Sequence, residues 1–135
     1  MQPLKTKYRK YYKPRQVPKI NPKLLTLKPH SHLSLISLES TYVNGRQIEA
    51  ARQTIRRKIK RRGRLKIMIF PDIGISKKST SSRMGKGKGK IDHWVGKISA
   101  GKTIFQLIGV PVKDGIPALK SGSNKFPIKV KICQN

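Results

Sequence analysis

The sequence contains very few acidic residues. Only 5 of its 135 residues are Asp or Glu, against 32 Lys and Arg, which gives a formal net charge of +27. Repulsion among so many like charges opposes compaction unless a polyanion neutralises it, and nucleic acid is the usual polyanion for so basic a domain. The acids are dispersed, so no paired carboxylates for acid–base catalysis are evident; they are Glu39, Glu49, Asp72, Asp92 and Asp114.

Other residues that build sites or span membranes are equally scarce. Cys133 is the only cysteine, which excludes an internal disulfide and a thiol cluster for a metal. His30, His32 and His93 are too few and too scattered to complete a site with it. We therefore expect no metal and no cofactor. No apolar run approaches the roughly 20 residues of a spanning helix, and no segment has the apolar core of a secretory signal.

Residues 83–90 form a stretch in which glycine alternates with lysine, inside a loop predicted at about 76–90. A P-loop needs G-x-x-x-x-G-K-S/T, but counting from Gly85 the second glycine position holds Lys90. The dinucleotide motif G-x-G-x-x-G fails at the same position. We therefore do not expect an enzyme.

The same loop favours a partner rich in phosphates. Its lysines repel one another and are expected to make no internal contacts, so we predict a loop that is mobile alone and ordered beside RNA. A solvated linker is the alternative. The candidate contacts are Arg83, Met84, Gly85, Lys86, Gly87, Lys88, Gly89 and Lys90.

Residues 1–30 are basic, contain no acid and carry five prolines that prevent a continuous helix. Blocks of like charge are typical of arms that bind nucleic acid, and tyrosines among cations can stack on bases. We predict a basic N-terminal arm over 1–30 and a single RNA-binding domain over 31–135. The candidate RNA contacts in the arm are Lys5, Lys7, Tyr8, Arg9, Lys10, Lys13 and Arg15.

A helix is predicted from Asn44 to about residue 62. Asn44 and Gln47 have the spacing of a capping box, and Val43 and Ile48 that of a hydrophobic staple. One narrow apolar stripe of isoleucines and Ala51 recurs at helical spacing, and Gly63 is expected to end the helix. The remaining arc is almost free of acids, so we predict that it meets phosphate. Its candidate contacts are Arg46, Arg52, Arg56, Arg57, Lys60, Arg61 and Arg62.

The rest of the chain predicts strands and one weak helix. Alternating apolar residues indicate strands at 33–42, 65–70, 91–98, 103–109 and 128–132, with a hairpin turn at 99–102. Trp94 and Phe105 are expected in the core. Residues 111–124 predict a short helix weakened by its glycines and proline. This order indicates an α+β domain with an antiparallel sheet and two helices.

Several motifs resemble one known family. They are Gly45-Arg46-Gln47-Ile48-Glu49-Ala50-Ala51-Arg52, Ile69-Phe70-Pro71-Asp72, residues 83–89, His93-Trp94-Val95, Gly101-Lys102, Gly109-Val110-Pro111 and Lys125-Phe126-Pro127-Ile128, with Thr6-Lys7-Tyr8-Arg9-Lys10 at the start. In this order and spacing they resemble the bacterial-type large-subunit ribosomal protein sixteen. The match covers nearly everything except residues 14–42 and 112–124.

The resemblance implies an α/β-hammerhead fold bound to large-subunit ribosomal RNA, among neighbouring large-subunit proteins and beside the A-site tRNA. It implies that residues 83–89 point toward that tRNA and the peptidyl-transferase region. Organelle copies of the family exist, and the 22 lysines against 10 arginines, with no presequence, would suit an organelle-encoded copy. We expect a mitochondrion rather than a plastid, with the bacterial cytoplasm as the alternative.

Two rival functions are consistent with the charge. A free nucleic-acid chaperone or architectural protein would bind without a fixed site. A cationic membrane-surface protein would need a helix with exposed bulky apolar residues, and the stripe on the 44–62 helix is too narrow for that.

Overall fold

The computed structural model describes residues 1–8, 10–13, 32–85 and 87–134. This part of the chain holds seven strands and two helices, with every strand pair antiparallel. The predicted α+β fold with two helices and antiparallel strands is confirmed. In chain order the elements are β1 (His32–Ser37), β2 (Thr41–Asn44), α1 (Gly45–Lys58), β3 (Arg64–Ile67), β4 (Ile73–Lys77), β5 (Lys90–Ile98), β6 (Thr103–Ile108), α2 (Val112–Ser123) and β7 (Val130–Gln134).

The strands form two sheets, where the sequence had suggested one. The four-stranded sheet has the order β3-β6-β1-β7, and the three-stranded sheet has the order β2-β5-β4. The predicted strand at 33–42 is therefore two strands in different sheets. A turn does form at 99–102, where Lys102 N donates to the Ser99 carbonyl at 3.1 Å. The predicted hairpin is nevertheless wrong, because β5 and β6 lie in different sheets.

Two of the four crossings between the sheets, from β1 to β2 and from β5 to β6, lie at adjacent places. Gly101 N donates to the Ser37 carbonyl at 2.7 Å, and Ala100 N donates to Ser40 Oγ at 2.8 Å. Gly101 has a φ of 83°, a conformation that glycine adopts without steric cost. The two crossings thus support each other, and alternation within single strands gave no sign of this pairing.

Helix α1 begins as predicted. The Asn44 side chain accepts a hydrogen bond from Arg46 N at 3.1 Å, and Gln47 Oε1 accepts one from Asn44 N at 2.9 Å, which completes the capping box. Val43 and Ile48, the two staple residues, are both fully buried. Because strand β2 runs directly into α1, this cap also fixes the angle between the helix and the three-stranded sheet.

Helix α2 forms where a weak helix was expected, and its glycines have a packing role. A Cβ at Gly122 would lie 2.5 Å from Ile55 Cγ1 on α1, and a Cβ at Gly115 would lie 2.2 Å from Leu33 Cδ1 on β1. The residues that lower helix propensity are therefore the points where α2 comes closest to α1 and to the four-stranded sheet.

The core lies among the four-stranded sheet, the two helices and the inner face of the three-stranded sheet, which contributes Val43 and Ile98. Leu35, Ile55, Phe105 and Leu119 are fully buried there, and the Phe105 ring lies 6.0 Å from that of Phe126. Phe105 is in the core as predicted, whereas Trp94 is half-buried on β5. The core thus anchors α1 by one face and leaves its opposite face exposed.

The remaining strand predictions hold with shifted ends. The strand predicted at 65–70 ends at Ile67, and the last strand begins at Val130 rather than at residue 128. Strand β4 was missed because its apolar alternation is limited to Ile73 and Ile75 and because Gly74 lowers the strand propensity of so short a segment. A Cβ at Gly74 would lie 2.9 Å from the Ile91 side chain on the paired strand, so the glycine that weakens the sequence signal makes room for the pairing.

A candidate nucleic-acid interface

The outer face of α1 and the turn after it carry a cluster of cations. Arg46, Arg57 and Lys58 are exposed, while Arg52 and Arg56 are half-buried. The apolar stripe of Ile48, Ala51, Ile55 and Ile59 is buried on the opposite side, as predicted. A surface cleft of about 570 Å³ runs along the cationic side, lined by Arg52, Gln53, Arg56, Arg57, Lys60 and Arg61. The structure thus brings most of the arginines predicted on this face around one concave surface.

Two of these arginines are held in place by partners within the protein. Arg52 makes a bidentate ion pair with Glu49, with Nη2–Oε1 at 2.6 Å and Nε–Oε2 at 2.9 Å. Hydrogen bonds from Arg52 lower the pKa of the Glu49 carboxyl, and the same bonds raise the pKa of Arg52. Arg56 Nη1 donates to the Gly63 carbonyl at 3.0 Å. Their guanidinium groups are therefore oriented before any partner arrives, and Glu49 compensates part of the Arg52 charge.

Helix α1 ends four residues earlier than predicted, so three candidate contacts lie in a turn. Arg61 N donates to the Arg56 carbonyl and Lys60 N to the Arg57 carbonyl, the bonding pattern of a Schellman motif after the cap residue Ile59. Lys60 and Arg61 both have left-handed backbones, with φ of 50° and 63°. Arg62 follows them and is exposed. Gly63, the expected terminator, also has a positive φ but lies beyond the helix.

The glycine–lysine loop connects β4 to β5. It surrounds a cavity of about 520 Å³ whose lining carries Lys77, Lys78, Arg83, Lys88 and Lys90. The Lys78 ammonium donates to the Gly85 carbonyl at 2.5 Å, and the hydroxyls of Ser79 and Ser82 are 2.7 Å apart. With no acid in its lining, the cavity is suited to an anion such as phosphate.

Glycines allow this loop to turn and to close at its base. Gly87 has a φ of 79°, and a Cβ there would meet nothing within 4 Å, so its requirement is for the backbone conformation. A Cβ at Gly89 would lie 2.4 Å from the Lys77 carbonyl oxygen. Gly89 therefore allows the two ends of the loop to approach each other where β4 ends and β5 begins.

The loop lysines have internal partners, contrary to expectation. Lys88 Nζ donates to the Tyr11 carbonyl oxygen and lies 4.1 Å from the centroid of the Tyr12 ring. Like charges prevent the lysines from bonding one another, but they do not prevent contacts with backbone carbonyls or aromatic rings.

Of the predicted arm, residues 1–8 and 10–13 are among those that the structure describes. Lys5, Lys7, Tyr8 and Lys10 are exposed, and Lys7 Nζ lies 5.5 Å from the Tyr8 ring centroid. Lys13 lies over the Tyr42 ring at 4.9 Å. The predicted contacts Arg9, Arg15 and Lys86 lie outside the described residues.

Besides Lys58 on α1, three cations that line these clefts were missed. Lys77 and Lys78 line the loop cavity beside Arg83. Arg64, at the start of β3, lines a smaller cleft with Arg52 and Arg56. Their positions in the sequence could have identified them, because Lys77 and Lys78 lie at the start of the predicted loop and Arg64 directly follows Gly63, the expected helix terminator.

No group of three or more potential metal ligands occurs among the described residues. Asp92 and His93 form one acid–histidine pair, with Oδ2 2.8 Å from Nδ1, and the hydrogen bond from His93 lowers the pKa of Asp92. Within the described ranges, no helix is long and apolar enough to cross a membrane.

These features define a small, polycationic α+β protein with an arginine-lined cleft on one helix and a cationic cavity in one loop. Comparison with known proteins gives the family. The family described as "Ribosomal protein L16p/L10e" matches residues 3–133. The "large ribosomal subunit protein uL16" of Erythrobacter litoralis is 43% identical over 132 residues, which cover 98% of this chain and 90% of that protein. The chain belongs to the ribosomal protein L16p/L10e family, which confirms the resemblance drawn from its motifs.

Proposed function

We propose that this chain is a structural constituent of the large ribosomal subunit that binds ribosomal RNA through the α1 cleft and the arm. Its partners there are large-subunit rRNA and neighbouring proteins of the subunit. The family supports this function, and the observation that carries it is the α1 face, where one side is buried in the core and the other presents cations around a cleft of about 570 Å³. Preorganised guanidinium groups suit bidentate phosphate contacts.

We further propose that the loop between β4 and β5 faces the A-site tRNA and helps to position it. The acid-free lining of the loop cavity and the exposed Arg83 and Lys90 support this role. The contribution would be electrostatic. Each phosphate neutralised by a cation should therefore steepen the slope of log affinity against log salt concentration by about 0.7 to 0.9. No group of the protein is assigned to catalysis.

The loop is tested by replacing Arg83 and Lys90 together with alanine. We expect these ribosomes to bind A-site tRNA more weakly, and the slope of log affinity against log salt to become shallower by about 0.7 to 0.9 for each lost phosphate contact. The measurement is tRNA affinity across a salt series, with incorporation checked by sedimentation.

The matched control is replacement of Lys113 and Lys120 with alanine. Both lysines are exposed on α2. Their replacement removes the same amount of charge as the loop variant does, at positions distant from the loop in the sequence. Equal loss of tRNA affinity in the two double variants would contradict a specific role for the loop.

The organelle assignment is a separate proposal that rests on the lysine-rich composition. The matched relative is bacterial and gives it no support. Fractionation of source cells tests it, and recovery of the protein only in cytoplasmic ribosomes would contradict it.

A further inference from the structure

The N-terminal segment, residues 1–8 and 10–13, contacts the three-stranded sheet and also the loop between β4 and β5. A Cβ at Gly45, at the start of α1, would lie 2.9 Å from the Met1 carbonyl oxygen. The Tyr11 ring packs edge-on against Trp94 on β5, with centroids 5.7 Å apart and planes at 68°. Lys13 lies over the Tyr42 ring on β2. The segment therefore contacts the start of α1 through Met1, and it contacts the sheet through Tyr11 and Lys13, at and just after the point where it meets the loop.

Lys88 joins this segment to the loop. Its ammonium group donates to the Tyr11 carbonyl and lies over the Tyr12 ring, and the side chain is half-buried. A hydrogen bond from a charged donor and a cation–π contact both weaken if the ammonium group turns toward a phosphate instead. The exposed Arg83 and Lys90 stand free of such a contact with the arm among the described residues.

We propose that Tyr11 and Tyr12 form a brace for the glycine–lysine loop, and that Lys88 is the positioning residue that fastens the loop to it. Lys88 sets the loop's position, and the other cations of the loop meet the anion. Glycine-rich loops lose much backbone entropy on ordering, so a brace that restricts the loop beforehand strengthens binding. Its effect on tRNA rests on the proposed function, whereas its geometry does not.

Trp94 provides a direct readout, because it is the only tryptophan of the chain. In the free full-length protein, Tyr12→Ala and Lys88→Met should release Tyr11 from Trp94. We expect the Trp94 emission to shift to longer wavelength and its quenching by acrylamide to rise toward the value of a Tyr11→Ala reference. Tyr12→Phe keeps an aromatic face for Lys88 and should match the parent protein.

Two control variants separate the brace from general effects. Tyr8→Ala removes an exposed tyrosine from the same arm, and Lys113→Met removes an exposed lysine from α2. Both should leave the Trp94 signal unchanged. If Lys88→Met also leaves that signal unchanged, the brace is wrong.

The second readout is A-site tRNA affinity on ribosomes that carry these variants. We expect Tyr12→Ala and Lys88→Met each to weaken binding about threefold to tenfold, and the double variant to weaken it no more than either alone. The salt slope should stay unchanged in Lys88→Met. A slope shallower by about 0.7 to 0.9 would show that Lys88 itself contacts a phosphate and would overturn the assignment.

The two proposals can fail separately. One outcome is that Trp94 becomes more exposed in Tyr12→Ala and Lys88→Met, while tRNA affinity is unaltered in every loop variant, the Arg83→Ala and Lys90→Ala double variant included. This outcome supports the brace and contradicts the proposed tRNA role. The other outcome is weaker tRNA binding in that double variant together with an unaltered Trp94 signal in Tyr12→Ala. This outcome supports the tRNA role and contradicts the brace.

Discussion

At the scale of single residues, the left-handed backbone of Lys60 is the clearest departure from local preference. Glycine usually occupies the position after the cap of a Schellman motif, because a Cβ is strained there. Here Lys60 and Arg61 occupy consecutive left-handed positions with φ of 50° and 63°. Strain that persists in a surface turn suggests a role for the side chains, and both residues line the α1 cleft.

The strain at Lys60 can be separated from its charge. We expect Lys60→Gly to stabilise the free protein by about 0.5 to 1 kcal/mol, because glycine adopts this backbone without steric cost. Urea unfolding of the free chain gives the free energy of unfolding. The same variant should bind rRNA more weakly, since one cation of the cleft is lost.

Lys58→Gly is the matched control for Lys60→Gly. Lys58 is exposed and lies in the last turn of α1, where glycine should destabilise by about 1 kcal/mol. Opposite signs in the two variants are expected. If both destabilise equally, the left-handed assignment at Lys60 is incorrect.

At the scale of elements, α1 separates stability from binding on its two faces. Ile55 is fully buried against α2, whereas Arg57 is exposed on the cleft. A buried side chain without access to water cannot be replaced by a charge without a large penalty. An exposed arginine without a partner contributes little to the stability of the free protein.

The substitutions Ile55→Asp and Arg57→Ala test this division. We expect Ile55→Asp to destabilise by more than about 4 kcal/mol and Arg57→Ala to change stability by less than about 0.5 kcal/mol. Arg57→Ala should instead make the salt slope of rRNA binding shallower by about 0.7 to 0.9. Thermal unfolding and filter binding measure the two effects. Similar losses of stability would refute the face assignment.

The elements also show how far the sequence predicts the structure. The start of α1 was predictable because its cap bonds join residues only two or three positions apart. The division into two sheets was not, because it depends on bonds from Gly101 to Ser37 and from Ala100 to Ser40, which are distant in the chain. Strand β4 was missed because only Ile73 and Ile75 alternate in it, and because Gly74, which makes room for the Ile91 side chain of the paired strand, lowers its strand propensity.

The candidate site was predictable as a set of cations and not as a geometry. The α1 face and the loop could be identified from their many cations and few acids, since the charge of each residue follows directly from its type. The anchoring of Arg52 by Glu49 was within reach, as the two are three residues apart on a helix. The contact of Lys88 with Tyr11 spans 77 positions and follows from the path of the arm over the sheet.

At the scale of the whole molecule, the charge of +27 makes the protein dependent on its partner. Few acids are available to compensate the cations internally, and Glu49 is already bonded to Arg52. Self-repulsion therefore weakens the free chain, while binding to a polyanion releases condensed ions and stabilises the folded state. A family of large-subunit ribosomal proteins is consistent with this requirement.

The most direct test of the central claim is density-gradient sedimentation of the native protein from its source cells. At low salt we expect the protein to comigrate with the large ribosomal subunit in constant proportion to its rRNA. As salt is raised, it should be released steeply, because many phosphate contacts are lost together. Recovery of the protein free of the large subunit at low salt would contradict the account.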